Sequence, residues 1–264
     1  MKTLTIDIGN SRVKVDAWAD KGFLSRVFEG SLADAMEKDG LNKVFSETDH
    51  PIEGIIVSSV RKDTEEFIDW LKELSGVEVI DFNADEVGDY YDLFDYHFPI
   101  GADRVAAYLG AQVNFGDLSK LIIDFGTAIT IDVAGADGRF YGGNISLGLF
   151  SRMKALAQQT DLLPNVKEIS EKNAFGLDTA SAIGAGALNG VLGEVKYSIE
   201  LAKKIHDIKV VIFTGGDARR IYFALDKDND LLMIEDPFLV GRGLDHHLRS
   251  HYLNVKAPHL HIRR

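Results

Sequence analysis

The chain has 264 residues, no cysteine and a formal net charge of −12, from 29 basic and 41 acidic residues. The lack of cysteine excludes disulfides, thiolate catalysis and zinc–thiolate sites, and the acidic balance argues against non-specific nucleic-acid binding, which depends on neutralising phosphates. No apolar run approaches the roughly 20 residues that a membrane span needs. We therefore predict a cytoplasmic protein that binds neither nucleic acid nor a membrane.

The first half of the chain mixes strand and helix patterns. In chain order it predicts strands within residues 1–30 with turns at Gly9-Asn10 and Lys21-Gly22, a buried strand at 55–57, a helix over 63–75 capped by Asp63 or Thr64, a strand at 77–80, a loop with short elements over 83–100, and a helix from Asp103 to about Val113.

The turn inside the first predicted hairpin has the composition of a phosphate-binding loop. Asp7, Gly9, Asn10 and Ser11 directly follow the apolar run at 4–6. Glycine lets a backbone approach a phosphate, consecutive turn N–H groups can bind an anion, and a carboxylate at that place suits Mg²⁺ or its waters. An ordinary hairpin turn uses the same residue types, and from this segment alone the ordinary turn is favoured.

The second half begins with a copy of the same pattern. Asp124, Gly126 and Thr127 follow another apolar run, and alternation predicts a second strand from Ile129. Further on, the patterns predict a turn or loop at 141–144, helices over 151–158 and 179–205, a buried strand at 210–213 that leads into the glycine loop at 214–218, and a helix over 218–225.

Two copies at matching places favour phosphate binding over two unrelated hairpin turns. Strands mixed with helices in two similar halves predict an α/β protein with a cleft between two domains. We place the domains at residues 1–115 and 116–264.

Residues 101–104 combine an acid and a guanidinium where a helix begins. Arg104 could hold a carboxylate through two hydrogen bonds, and Asp103 could accept the proton of a hydroxyl that attacks a γ-phosphate. An acid at a helix N-terminus beside a surface arginine has an equally simple structural explanation, because the helix dipole favours it. From spacing alone, the structural explanation is favoured.

With these pieces in order, the chain resembles the type III pantothenate kinases of the acetate-kinase, sugar-kinase, Hsp70 and actin superfamily. The resemblance extends from Asp7 to about Gly243, and it rests on the segments at 7–11, 101–104, 124–128, 142–148, 175–179 and 214–218. Its most specific part is Gly-x-Asp-Arg placed between two phosphate turns. That order makes 101–104 a predicted site.

The resemblance implies two ribonuclease H-like (actin-like ATPase) domains and ATP-dependent phosphorylation of pantothenate, the first step toward coenzyme A. It also implies Mg²⁺, a monovalent cation (K⁺ or NH₄⁺) and a homodimer. By matched position, it implies Asp103 as the catalytic base; Asp7, Ile8, Gly9, Asn10, Ser11, Arg12, Val13, Lys14 and Thr127 as ATP contacts; Tyr96, Gly101, Ala102, Asp103, Arg104 and Thr179 as pantothenate contacts; and Asp124 as the monovalent-cation ligand.

Two other functions remain open at this point. The chain could be a superfamily kinase for another hydroxylated acceptor, such as an amino sugar, or a non-catalytic ATP-binding regulatory protein. The acidic charge and the lack of a basic helix argue against DNA contact by such a regulator.

Five histidines fall between His246 and His261 without a convincing metal-ligand spacing, and we interpret them as a solvated tail.

Overall fold

The computed structural model describes residues 2–37, 40–46, 51–62, 64–95, 97, 99–169 and 174–253. Its contacts divide the chain into two compact units. The first unit comprises Met1–Asp117, the short segment Asp137–Phe140 and the segment that starts at Phe238. The second comprises Leu118–Ala136 and Tyr141–Pro237. In the described part of the chain, no helix is both long enough and apolar enough to cross a membrane.

The first unit contains a five-stranded sheet with helices on both faces. Its elements up to residue 117 are β1 (Lys2–Ile8), β2 (Val13–Ala19), β3 (Gly22–Gly30), α1 (Leu32–Met36), α2 (Leu41–Ser46), β4 (Ile52–Ser59), α3 (Glu65–Ser75), β5 (Val79–Asp81), α4 (Ala84–Gly88), a 3₁₀ turn at Tyr91–Leu93, and α5 (Ala102–Phe115). The strand order is β3-β2-β1-β4-β5, antiparallel from β3 to β1 and parallel from β1 to β5.

The second unit repeats this architecture. Its elements are β6 (Lys120–Phe125), β7 (Ala128–Ala134), β8 (Phe140–Leu147), α6 (Leu149–Gln159), α7 (Thr179–His206), β9 (Val210–Thr214), α8 (Ala218–Ala224) and β10 (Leu232–Glu235). The strand order β8-β7-β6-β9-β10 matches that of the first sheet strand for strand, with β6 antiparallel to β7 and parallel to β9. The prediction of two similar α/β halves is confirmed.

The two faces of the first sheet differ in polarity. Leu4, Ile6 and Ile8 of β1 point into the apolar core that the first unit forms with its early helices. The alternate residues Thr3, Thr5 and Asp7 point to the other face, because side chains alternate along a strand. This second face carries the polar residues of the candidate site.

The last helix, α9 (Leu239–His251), covers that polar face. The Thr3 hydroxyl bonds to Asp245, and the guanidinium of Arg249 donates to the same hydroxyl and to Asp245. Helix α9 also packs closely on α5, since a Cβ on Gly110 or Gly243 would clash with the backbone of the other helix. These contacts place α9 in the first unit, whereas the predicted domain boundary assigned it to the second half; the domain limits themselves stay a prediction.

Two interpretations of the sequence were wrong. Residues 141–144, predicted as a turn or loop, lie inside β8. The histidines interpreted as a solvated tail include His246 and His247, which are buried within α9. His247 is hydrogen-bonded through Nδ1 to the Tyr90 hydroxyl at 2.6 Å and through Nε2 to the Glu86 carboxylate at 2.7 Å, which accounts for its buried position. His259 and His261 lie outside the described residues.

Candidate active site

The first phosphate-type turn joins β1 to β2 with its polar residues outward. The N–H of Gly9 donates to the carbonyl oxygen of Arg12 at 2.9 Å, which closes the turn. Asn10, Ser11 and Arg12 are exposed. Asp7 lies at the base of the turn, on β1, directly across from Lys14 on β2. The turn therefore presents donors to solvent above a carboxylate.

Asp103 sits at the start of α5 with its carboxylate folded back onto the helix. The N–H of Arg104 donates to Asp103 Oδ1 at 2.9 Å. A Cβ on Gly101 would stand 2.5 Å from that oxygen, so only glycine leaves room for this arrangement. Burial raises the pKa of Asp103, although the N–H and the positive charge of Arg104 oppose the rise. A raised pKa makes this carboxylate a stronger base.

Asp7 and Asp103 are close enough to influence each other. Burial is the largest cause of the raised pKa of Asp7; the charge of Lys14 opposes it, and the charges of Asp103 and Asp16 add to it, while Arg26 opposes it. The charges of Lys14 and Asp103 thus act on the carboxylate of Asp7. In all, two acidic and two basic side chains influence the carboxylate of Asp7.

Two residues outside the sequence motifs, Asp16 and Arg26, also belong to this neighbourhood. Arg26 donates to the carboxylate of Asp16 from Nε at 2.8 Å and from Nη2 at 3.1 Å. Glu29 accepts from Arg26 at 3.1 Å and from Arg12 at 2.7 Å, so the pair connects back to the turn. The available signal was strand alternation, which puts Asp16 on the same face of β2 as Lys14.

The other predicted acceptor-side residues differ in exposure. Arg104 is 5% exposed, and its guanidinium lies 5.7 Å from the centre of the Phe140 ring. Ala102 starts α5 beside it. Thr179 belongs to the second unit, where it is exposed on the first turn of α7. Tyr96 lies outside the described residues.

The second turn joins β6 to β7 and is shorter than the first. The N–H of Gly126 donates to the carbonyl oxygen of Ala128 at 3.0 Å. The carbonyl oxygen of Thr127 accepts from the N–H of Gly148 at 2.9 Å and from the Ser151 hydroxyl at 2.7 Å. Gly126 and Thr127 remain exposed, so their backbone is held in place from one side and open on the other.

A glycine loop packs against this second turn. Gly215 has φ +96°, and a Cβ there would clash with Asp124 Oδ1 and the backbone of Phe125. The N–H of Asp217 donates to the Phe125 carbonyl oxygen at 3.1 Å. The loop also borders a pocket of about 550 Å³, whose lining is Phe150, Gly216, Asp217, Arg219, Arg220, Phe223 and Ala224. That volume is within the range of small-molecule sites.

The oxygen atoms around Asp7 fit a magnesium ion that keeps most of its water. The described residues include no group of three or more His, Cys, Asp or Glu that could hold a metal alone. Mg²⁺ usually binds through one or two carboxylates, substrate phosphates and several waters. Asp7 supplies a carboxylate, and the buried hydroxyl of Ser58, its register partner on β4, has no hydrogen-bond partner among the described residues. An unused oxygen beside a carboxylate is compatible with a hydrated cation.

The sequence is similar to known proteins over most of its length. The sequence model of the type III pantothenate kinases matches residues 3–201. A protein of Phocaeicola vulgatus named type III pantothenate kinase is 34% identical over 242 residues, which cover 92% of this chain and 96% of the relative.

Two solved structures share the fold at low sequence identity. One is a Campylobacter jejuni protein assigned to the Baf family of transcriptional activators, with a TM-score of 0.58, 22% identity and coverage of 96% of this chain and 100% of that one. The other is the activator of 2-hydroxyisocaproyl-CoA dehydratase from Clostridium difficile with bound ADPNP, with a TM-score of 0.52, 15% identity and coverage of 98% and 100%.

Proposed function

Because this chain belongs to the type III pantothenate kinase family and phosphorylates pantothenate with ATP on the way to coenzyme A, we propose that Asp103 is its catalytic base. The observation that carries the proposal is the placement of Asp103 beside Asp7 with a pKa raised by burial. A base in a kinase must lie next to the phosphate-binding residues and must accept a proton from the attacking hydroxyl.

In this mechanism Asp103 accepts the proton of the pantothenate hydroxyl as that oxygen bonds to the γ-phosphorus. The bond from the γ-phosphorus to the bridging oxygen breaks, and the products are 4′-phosphopantothenate and ADP. Mg²⁺, when bound, offsets the negative charge of the phosphates. Asp7 would hold this ion or its waters. The N–H of Arg104 holds the Asp103 carboxylate in position, and Gly101 leaves the room that this position requires.

On the ATP side, we assign the phosphate contacts to the first turn, residues 7–14, and to Thr127. Exposed N–H groups, Arg12 and Lys14 supply donors and positive charge in the first turn. For the nucleoside, the best candidate is the pocket beside Gly216 and Asp217 in the second unit, where Phe150 and Phe223 offer apolar surface. Arg104 as the ligand of the pantothenate carboxylate, and Gly101, Ala102, Thr179 and Tyr96 as further pantothenate contacts, stay predictions.

We assign the monovalent cation, K⁺ or NH₄⁺, to Asp124. A Cβ on Gly215 would meet Asp124 Oδ1 and both the backbone nitrogen and the carbonyl oxygen of Phe125, so the Asp124 carboxylate lies where the second turn meets the glycine loop. A weakly charged cation suits a set of carboxylate and carbonyl oxygens, which do not require the tight octahedral geometry of Mg²⁺.

We further infer a homodimer through helix α7. Tyr197, Leu201 and Ile205 follow one another at intervals of four residues and are exposed. Gly186 and Gly193 lie on exposed positions of the same helix with open space around them. A contiguous patch of exposed apolar side chains marks a protein–protein interaction site. Light scattering should give a dimer mass for the wild type and a monomer mass for Tyr197→Glu.

The decisive experiment for the function is a coupled assay of ADP release. We expect ADP only when pantothenate and ATP are both present, with little or none when an amino sugar replaces pantothenate. ADP release with another acceptor, or ATP binding without any acceptor-dependent turnover, would favour one of the two alternative functions. A cytoplasmic location and the lack of nucleic-acid or membrane partners stay predictions.

A further inference from the structure

Ser58 carries a hydroxyl whose hydrogen-bonding capacity is unused. The residue is fully buried, and its Oγ has no hydrogen-bond partner among the described residues. Buried polar side chains are nearly always hydrogen-bonded, to protein or to ordered water, so each exception requires an explanation. A bound ligand or ordered water near Ser58 would supply the partner.

The position of Ser58 indicates which ligand this is. Ser58 and Asp7 are register partners on the parallel strands β4 and β1. Register partners direct their side chains to the same face of a sheet, with the strands about 4.8 Å apart. The hydroxyl of Ser58 is therefore on the same face as the carboxylate of Asp7, on the neighbouring strand.

The same face is the one that carries Asp103 and its helix. Helix α9 packs on this face, because a Cβ on Gly241 would meet Thr5 and Asp16. Helix α5 packs on α9 through Gly110, and it also contacts β4 directly. Ser58 thus belongs to the layer between the sheet and α5, which is the layer of the Asp7–Asp103 pair.

We propose that Ser58 is a positioning residue of the magnesium site, with its hydroxyl hydrogen-bonded to a water of the hydrated Mg²⁺ that Asp7 holds. This inference rests on the proposed function, because it requires Mg²⁺ and ATP at the first turn. A hydroxyl both donates and accepts, so it suits a water molecule, and Mg²⁺ gives up its waters reluctantly. A third carboxylate at this place would add negative charge beside Asp7 and Asp103, whereas serine adds none.

The structural alternative is that Ser58 turns toward Asp7 and bonds to it in the ligand-free protein. The two cases differ in what the loss of the hydroxyl does without ligand. If Ser58 has no partner, then Ser58→Ala leaves the ligand-free protein as stable as before or more stable. If Ser58 bonds to Asp7, the same substitution lowers the stability.

Ser250 offers a matched control. Its Oγ is also buried and without a partner, but it lies at the C-terminal end of α9, on a different part of the helix from Gly241. The experiment compares Ser58→Ala and Ser250→Ala. Binding of Mn²⁺ is measured by electron paramagnetic resonance with a non-hydrolysable ATP analogue present, and urea unfolding is measured without ligands.

We expect Ser58→Ala to raise the Kd for Mn²⁺ by about 3- to 10-fold, the loss of one hydrogen bond, and Ser250→Ala to leave it unchanged. Both variants should unfold at a urea concentration equal to or above that of the wild type. A Kd for Ser58→Ala within about twofold of the wild-type value overturns the proposal. A ligand-free Ser58→Ala that is clearly less stable than Ser250→Ala also overturns it, in favour of the bond to Asp7.

A failure of the proposed function looks different. If the wild type binds Mn²⁺ and the nucleotide analogue but releases no ADP with pantothenate, the acceptor is wrong, and the Mn²⁺ comparison of the two serine variants still decides the role of Ser58. If the wild type binds no Mn²⁺ with the nucleotide analogue, both proposals are wrong.

Discussion

The two Asp-x-Gly turns occupy equivalent places in two sheets of the same strand order, yet their surroundings differ. The first turn has four residues between its strands and is surrounded by charged side chains: Lys14, Asp16, Arg26 and Asp103 all act on Asp7. The second has two residues between its strands and is surrounded by backbone, from Gly148 on one side and Gly215 on the other.

The two halves therefore share an architecture, while the residues packed around each turn determine its chemistry. A carboxylate among charged side chains has a perturbed pKa and can take part in proton and metal chemistry. A carboxylate among backbone carbonyls can instead complete an oxygen-lined cation site. We therefore expect the first turn to take part in proton and metal chemistry and the second turn to act mainly as a rigid support.

The largest effect should come from Asp103→Asn. An amide cannot accept the proton, so we expect kcat to fall by about 10²- to 10⁴-fold, measured by steady-state ADP release with saturating substrates. The control is Asp69→Asn, which changes an exposed acid on α3. Near-normal turnover of Asp103→Asn would remove Asp103 from the mechanism.

The raised pKa of Asp103 also predicts how stability and activity depend on pH. Burial raises the pKa of Asp103 in the folded protein, so folding favours its protonated form. The folded state therefore loses stability as the pH rises from the ordinary aspartate pKa through the raised one. At neutral pH, Asp103→Asn should unfold at a higher urea concentration than the wild type, and kcat/KM of the wild type should fall on the acid side at a pH above the ordinary aspartate pKa.

The next largest effect concerns the stability that the backbone packing around each turn contributes. A Cβ on Gly148 would overlap the carbonyl oxygen of Gly126, whereas a Cβ on Gly9 would stand 3.3 Å from the carbonyl oxygen of Arg12. We expect Gly148→Ala to lower the free energy of unfolding by about 3 kcal/mol and Gly9→Ala by less than about 1 kcal/mol. Urea unfolding followed by circular dichroism measures both, and equal losses would contradict the rigid-support interpretation.

A smaller effect should distinguish the two carboxylates by their cations. Asp124→Asn should raise the K⁺ concentration for half-activation about 10-fold and leave the Mg²⁺ requirement unchanged. Asp7→Asn should do the reverse. Titration of each cation at a fixed excess of the other measures this. If both variants alter both requirements equally, the two turns do not divide the cations between them.

The smallest effect concerns acid stability of the first unit. Burial lowers the pKa of His246 to about 4, and the charges of His251 and His247 add to the effect. The unfolded chain binds this proton more tightly, so the stabilising contribution is complete above the ordinary histidine pKa and is lost as the pH falls toward about 4. His246→Leu should move the acid-unfolding midpoint down by roughly half a pH unit, while the exposed His97→Gln should not.

Much of the fold could be predicted because its signals are local. Apolar runs located β1, β4, β6 and β9, alternation located β2 and β7, and helical patterns located α3, α5, α6 and α7. The strand β8 was missed because Gly142 and Gly143 are typical of turns. In the structure, Gly143 is required by the close approach of the Ile131 carbonyl oxygen and of Asp132, which is the other common reason for glycine in a strand.

Helix α9 and the polar face below it could not be predicted for a different reason. A helix with Asp245, His246 and Arg249 has the composition of a solvated segment. Asp245 and Arg249 are buried because the face of β1 that they cover is itself polar, with Thr3 bonded to both of them. Thr3 and Asp245 are separated by 242 positions in the sequence, and no local pattern contains that information.

Local patterns predict the two repeated turns, the elements around them and the acid–arginine pair at 103 and 104, because each depends on neighbouring residues and on the periods of strands and helices. Asp16, Arg26 and Ser58, by contrast, lie near Asp7 because strand register brings them together. The packing of α5 on α9 and on β4 places Asp103 near that carboxylate. Contacts between distant segments follow from register and packing, which a single sequence does not display residue by residue.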